Sequence, residues 1–157
     1  MKEWPMYQEV QADLLNHEDL LRQTDFVLHG CNCQKTFGSG IAALIADGWP
    51  EMYRADLNDT RSPSERFGSY TEADVHRVAY DFIGLNVYSQ FFYGPPSEKH
   101  FDIDKFTQAL ITLEPKVQGK KVLMPMVGSG KGGGNWEDIK QRIKTVWGSV
   151  HVTVCYL

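Results

Sequence analysis

Twice in this chain an apolar run of β-type residues ends in a glycine-rich loop that leads into a helical pattern. The first copy runs from Phe26 to Ile41 and the second from Val122 to Trp136. Uninterrupted runs such as Phe26-Val27-Leu28 and Val122-Leu123-Met124-Pro125-Met126-Val127 suit strands covered by helices on both faces. Glycine in the following turn lets backbone N–H groups point inward without a Cβ in the way. A helix N-terminus just beyond adds a partial positive charge that suits phosphate. In open α/β sheets ligands sit at the carboxyl ends of the strands, which is where both loops fall.

The rest of the chain fills in the same alternation. Tyr7–Ala12 reads as a short strand, followed by a helical stretch through Asp19, Leu20 and Leu21. The first apolar strand stops at His29-Gly30. Ile41, Leu44, Ile45 and Trp49 recur at helical spacing, and Pro50 opens a second helix through Met52, Tyr53 and Leu57. Asn58–Glu65 reads as a loop, with strands at Phe67–Tyr70 and Val78–Tyr88. Gly94-Pro95-Pro96-Ser97 breaks the chain. A helix is expected from about Asp102 to Glu114. Another carries Trp136, Ile139, Ile143, Val146 and Trp147 with a period near 3.6, and Val150–Val154 closes the chain as a strand. With 157 residues, no repeats and no low-complexity linker, the expectation is one α/β domain over residues 1–157.

Composition removes several classes. The net charge of −4 disfavours broad nucleic-acid binding, which wants a basic face. No run of about 18 apolar residues is present to span a membrane. The start, Met1-Lys2-Glu3-Trp4-Pro5, lacks the apolar core of a signal peptide, so a cytoplasmic protein is expected; a monomer is expected as well. Cys31, Cys33 and Cys155 make neither a disulfide framework nor a CxxC zinc pair, and no metal or cofactor is expected. Gly128-Ser129-Gly130-Lys131-Gly132-Gly133 matches GxGxxG, but only 24 residues follow Gly133, too few for the remaining units of a dinucleotide fold. A phosphate-loop reading fails because Gly132, and not Ser or Thr, follows Lys131.

Three segments in register resemble the macrodomain family. His29 to Ala42 is similar to its first ligand loop, Val10-Gln11-Ala12-Asp13-Leu14 to its early Gly-Asp-Ile/Leu element, and Met124 to Trp136 to its second loop. The terminal Val152–Leu157 looks like the closing strand of the branch holding yeast-type ADP-ribose 1″-phosphate phosphatases and small ADP-ribosyl glycohydrolases. The resemblance implies a three-layer α/β/α domain with a central mixed sheet and a site for ADP-ribose or its 1″-phosphate.

Carried over residue by residue, Asp13, with Leu14, matches the acid that accepts from the adenine amino group; a helix N-cap is the plainer alternative. Asn32 matches the asparagine at the distal ribose, where an amide suits a sugar hydroxyl; otherwise it is a turn former. Gly38, Ser39, Gly40 and Ile41 match the loop holding one phosphate. Ser129, Gly130, Lys131 and Gly132 match the loop closing over the other, with a solvated loop tip as the alternative for Lys131. Phe37 falls where related phosphatases carry an aromatic beside the distal ribose, and core packing is the alternative. Tyr88–Pro96, unusually aromatic, is expected to serve the core or an edge of the cleft.

For chemistry, the resemblance implies hydrolysis of ADP-ribose 1″-phosphate without a metal. His29 matches the phosphatase histidine and is expected to act with Asn32, the imidazolium protonating the leaving oxygen; a buried, hydrogen-bonded ring is the alternative. His17, His76, His100 and His151 have no such context. The competing reaction, removal of ADP-ribose from protein or nucleic acid, depends in the related glycohydrolases on a lysine near the end of the middle strand and an acid in the second loop. Here Tyr88-Ser89-Gln90 holds no lysine and Gly132 stands in the acid's place. A non-catalytic ADP-ribose reader is the third class.

Overall fold

The computed structural model describes residues 4–38, 40–94, 100–130 and 133–157. Six strands form one mixed sheet: β1 (Tyr7–Gln11), β2 (Phe26–Asn32), β3 (Tyr70–His76), β4 (Asp81–Gln90), β5 (Lys121–Pro125) and β6 (His151–Tyr156). Their spatial order is β1-β6-β5-β2-β4-β3. All neighbours run parallel except β3, which pairs antiparallel with β4 at one edge. The carboxyl ends of five strands therefore share one rim of the sheet.

Helices cover both faces, giving the three-layer α/β/α arrangement. Alternation along the strands divides the core. Phe26 and Leu28 of β2 pack on the face under α5 (Ile103–Val117) and α6 (Trp136–Val146), where Phe106, Leu110, Ile139 and Trp147 are buried. Val27 and Cys31 point the other way, into a second cluster. It is roofed by α1 (Glu18–Gln23), α2 (Gly40–Gly48) and α3 (Pro50–Asn58) and contains Leu21, Ile45, Trp49 and Met52. Each fully buried aliphatic or aromatic side chain here contributes about 1.5–3 kcal/mol. α3 comes close to β4 because Gly84 offers no side chain: a Cβ there would meet Met52 Sδ at 2.6 Å.

Several boundaries differ from the sequence expectation. Strand β2 continues through His29 and Gly30 to Asn32, held by pairing with β4. Phe67–Ser69 is not a strand. Phe67 ends a four-residue helix, α4 (Pro63–Arg66), which overlaps the end of the expected 58–65 loop. Its start carries a capping box in which Ser62 and Glu65 exchange side-chain and backbone hydrogen bonds. The strand lies further on, at Tyr70–His76, whose polar sequence hid it; seven residues pair with β4.

Candidate functional site

At the shared rim of carboxyl ends lies a cleft of about 890 Å³. Its floor is the end of β2, Gly30 to Asn32. One wall is Gly38 with the first turn of α2, and the other is the loop Met126–Gly130 after β5. Gln90 and Tyr93 close one end, and Cys155 and Tyr156 the other. Among the described lining residues there is no Asp, Glu, His, Lys or Arg side chain.

Glycines stand in both walls, and a helix start in one. The first N–H groups of a helix have no intrahelical partner, and Gly40, Ile41 and Ala42, which open α2, line the cleft. The first turn of α2 contains no acid to neutralise them. In the opposite loop Val127 N–H donates to Pro125 O (2.8 Å) and Gly134 N–H to Gly128 O (2.6 Å). The N–H groups of Gly128 and Gly130 have no acceptor among the described residues. Gly128 has φ +78°, and the ring of Phe101 stands where its Cβ would go, so only glycine fits this turn. A helix start and a glycine loop, both with unpaired amides, thus border one cleft, an arrangement suited to an anion without basic side chains.

The structure brings six of the nine expected ligand residues that it describes here. Gly38, Gly40, Ile41, Ser129, Gly130 and Asn32 all line the cleft. Ser39, Lys131 and Gly132 lie outside the described residues. Asn32 is already engaged in its own turn: Oδ1 accepts from Gln34 N–H (2.8 Å), and Nδ2 donates to Thr36 O (3.0 Å). Ser129 Oγ donates to Met126 O (2.9 Å), bracing its loop. Asp13 stands beside the cleft but outside its lining, and its carboxylate accepts from Leu15 N–H (3.2 Å) and Asn16 Nδ2 (2.6 Å). It is close enough to Cys155 to act on that thiol's charge. Leu14 is core.

Two expectations need correction. Phe37 does not face the cleft: it is 6 % exposed, stacks on Tyr53 at 4.8 Å and meets the His29 ring edge-on at 5.2 Å. His29 is fully buried and absent from the lining. Strand parity turns its ring towards α3, where Nε2 lies 2.7 Å from Asn86 Oδ1. Burial pushes its pKa down to about 4, outweighing the raising effect of that bond. The neutral, walled-in ring is not placed to protonate a leaving group in the cleft.

Sequence reasoning did not single out Cys31, Thr36, Met126, Cys155 or Tyr156 for the lining. Most are strand ends or their neighbours, and only the strand order reveals that they share a rim. Of the aromatic stretch, Tyr88 is buried, whereas Tyr93 is 61 % exposed and lines the cleft. Burial raises the thiol of Cys155 to about 11 and moves that of Cys31 in the same direction, so both remain protonated at neutral pH.

No family model matches the sequence. An uncharacterized 17.5 kDa protein of Enterobacteria phage T4 is 28% identical over 133 residues, 82% of this chain and 83% of that protein. A protein of Mycobacterium tuberculosis named as a DNA ADP-ribosyl glycohydrolase is 28% identical over 126 residues. The match takes in 80% of this chain but 36% of the mycobacterial protein, so the two correspond over one part of the latter only. Among solved structures, the macrodomain of Mycobacterium tuberculosis DarG superposes with a TM-score of 0.74 at 23% identity, covering 97% of this chain and 98% of that one. Thermosipho africanus DarTG, solved in complex with ADP-ribose, gives a TM-score of 0.72 at 12% identity, covering 95% of this chain and 41% of that one. The chain has the macrodomain fold.

Proposed function

We propose that the cleft binds ADP-ribose, its diphosphate held between the two amide walls, and that the chain hydrolyses ADP-ribose 1″-phosphate to ADP-ribose and phosphate. The observation that carries this reading is the helix start and glycine loop that border one cleft with no acidic side chain in the described lining. Helix-end and loop amides stabilise phosphate charge without having to reorganise. Asp13, after β1, marks the adenine end, and Asn32, beside Gln90 in the sheet, the distal-ribose end.

Of the reactions at C1″ of the distal ribose, phosphate-ester hydrolysis asks least of side chains. A phosphate monoester has its second pKa near about 6, so near neutral pH part of the substrate carries a proton of its own. Water attacks phosphorus, the P–O bond to C1″ breaks, and that proton passes to the departing ribose oxygen. The loop amides hold the charge on the transferring group. In this mechanism His29 is not the acid, and the sequence-based role for it is replaced by the substrate's own proton.

A second reading, removal of ADP-ribose from DNA, is favoured by the similarity to the mycobacterial glycohydrolase. Against it, Gln90 ends β4 and no Asp or Glu side chain stands in the described lining. Calorimetry with ADP-ribose, phosphate release from ADP-ribose 1″-phosphate, and ADP-ribose release from a modified oligonucleotide separate the cases. Binding with phosphate release supports the proposal. Binding without turnover of either substrate reduces the chain to a reader, release from DNA alone moves it to the glycohydrolases, and absence of binding removes the reading altogether.

A further inference from the structure

Behind the cleft floor, on the α3 side of the sheet, runs a buried polar chain that the proposed reaction does not use. Its members are His29, Asn86, Thr71, Tyr88, Asp56 and Arg66, and all but Thr71 are buried. Asn86 Nδ2 donates to Met52 O (2.9 Å) and Thr71 Oγ1 (3.0 Å). Its Oδ1 is therefore the acceptor, and His29 Nε2, at 2.7 Å, carries the proton. Thr71, having accepted, donates to Tyr88 Oη (2.8 Å), and Tyr88 donates to Asp56 Oδ1 (2.7 Å). Asp56 also pairs with Arg66. The guanidinium lies over the Tyr88 ring at 4.3 Å, donates from Nε to Asp59 Oδ2 (3.1 Å), and spends its last arm, Nη1, on Cys33 O (2.9 Å).

The two ends of this chain converge on one place. At the head, Cys31 Sγ rests on the His29 ring, 3.3 Å from Nε2 and 3.8 Å from Nδ1. At the tail, Arg66 grips Cys33 O. Asn32 lies between the two, and the turn it organises leads to Gly38 and the amides of α2. The register of β2 on β4 also shifts between Cys31 and Asn32, so sheet pairing alone does not fix this point. A buried ion pair is a weak source of stability compared with apolar packing, but a network in which every donor has one direction allows one arrangement.

We propose that this network is a clasp, and that Arg66, Asp56 and Tyr88 are positioning residues for the Asn32 turn and, through it, for the amide wall of the cleft. The binding consequence rests on the ADP-ribose reading; the geometric one does not.

The test uses Tyr88→Phe, which deletes one hydroxyl from the middle of the chain, and Arg66→Lys, which keeps the charge beside Asp56 but gives up the fork that also spans Asp59 and Cys33. Amide hydrogen exchange of Gln34, whose N–H bonds Asn32 Oδ1, is compared with that of Val152, whose N–H bonds the distant Met6 O. Each variant should speed exchange at Gln34 about tenfold relative to Val152, because severing the network frees the turn without opening the sheet. Each should weaken ADP-ribose binding several-fold. The double variant should be no worse than the weaker single one, since both cut one connected unit. Thr71→Val severs the neighbouring joint and takes the place of either variant that fails to fold. Exchange at Gln34 that stays in step with Val152 in folded variants, or effects on binding that simply add, overturns the clasp. A wild type that does not bind ADP-ribose overturns the proposed function instead, and Gln34 exchange still decides the clasp.

Discussion

Replacing His29 with glutamine tests whether this ring is chemistry or architecture. Glutamine keeps a donor for Asn86 Oδ1 but has no proton to gain or lose. In the folded wild type, burial holds the ring near a pKa of about 4, against about 6.5 in an unfolded chain. The folded value is depressed, so the unfolded state binds more protons between those limits. The ring's contribution is therefore fully present above about pH 6.5 and is lost as pH falls towards 4. From pH 7.5 to pH 5 this costs the wild type about 2 kcal/mol. The variant lacks that term, while the carboxylates titrate alike in both proteins. Urea denaturation followed by tryptophan fluorescence at the two pH values should show the stability gap between wild type and His29→Gln shrinking by about 2 kcal/mol as the solution is acidified. The same pair should give pH profiles of kcat on ADP-ribose 1″-phosphate that have one shape. Equal pH slopes of stability in the two proteins would refute the buried, neutral ring. A limb of the kcat profile present only in wild type would return His29 to the role of acid.

Three further outcomes follow from the geometry. Ala42→Asp places a carboxylate in the acid-free first turn of α2; it should leave the unliganded protein unchanged or more stable by about 0.3–1 kcal/mol and weaken ADP-ribose binding at least about tenfold in calorimetry, by occupying amides meant for phosphate. Gly128→Ala forces a side chain into a left-handed turn and against Phe101; a loss of about 2–4 kcal/mol in chemical denaturation is expected, with loss of ADP-ribose binding even below the melting range. Ser89 Oγ is buried without a hydrogen-bond partner among the described residues, so Ser89→Ala should raise stability by about 1 kcal/mol, or Tm by about 2–4 °C in a thermal melt.

The features legible in the sequence are those with a local cause. A strand that stops at a glycine cluster before a helical pattern leaves few conformations open, so both cleft walls could be placed from Gly38–Ile41 and Ser129–Gly130. Helix α6 declares itself through Trp136, Ile139 and Ile143 at a period near 3.6, and Asn135 caps it. By contrast, β3 carries Thr71, Glu72, Asp74 and His76 on an edge strand, and its identity comes from seven pairings with β4. The α4 capping box was present in the letters Ser-Pro-Ser-Glu, but four residues show too little periodicity to be seen as a helix.

Residue roles divide along the same line. The sequence alone determined a phosphate-friendly pair of glycine loops, since turns and helix ends are set by backbone sterics within a few residues. It could not decide which side chains face the space between them. His29 and Phe37 stand next to the loop in the chain, yet β2 continues past the expected stop at His29-Gly30 to Asn32 and its alternation sends the His29 ring to the α3 layer. There Asn86, 57 positions away, accepts its N–H hydrogen bond, and Phe37 closes over it against Tyr53. A side chain's direction on a strand depends on register with its neighbour, and its charge state on what is packed over it. Both are properties of the assembled sheet and helices, so the tertiary structure decided which residues line the cleft and that His29 lies behind its wall.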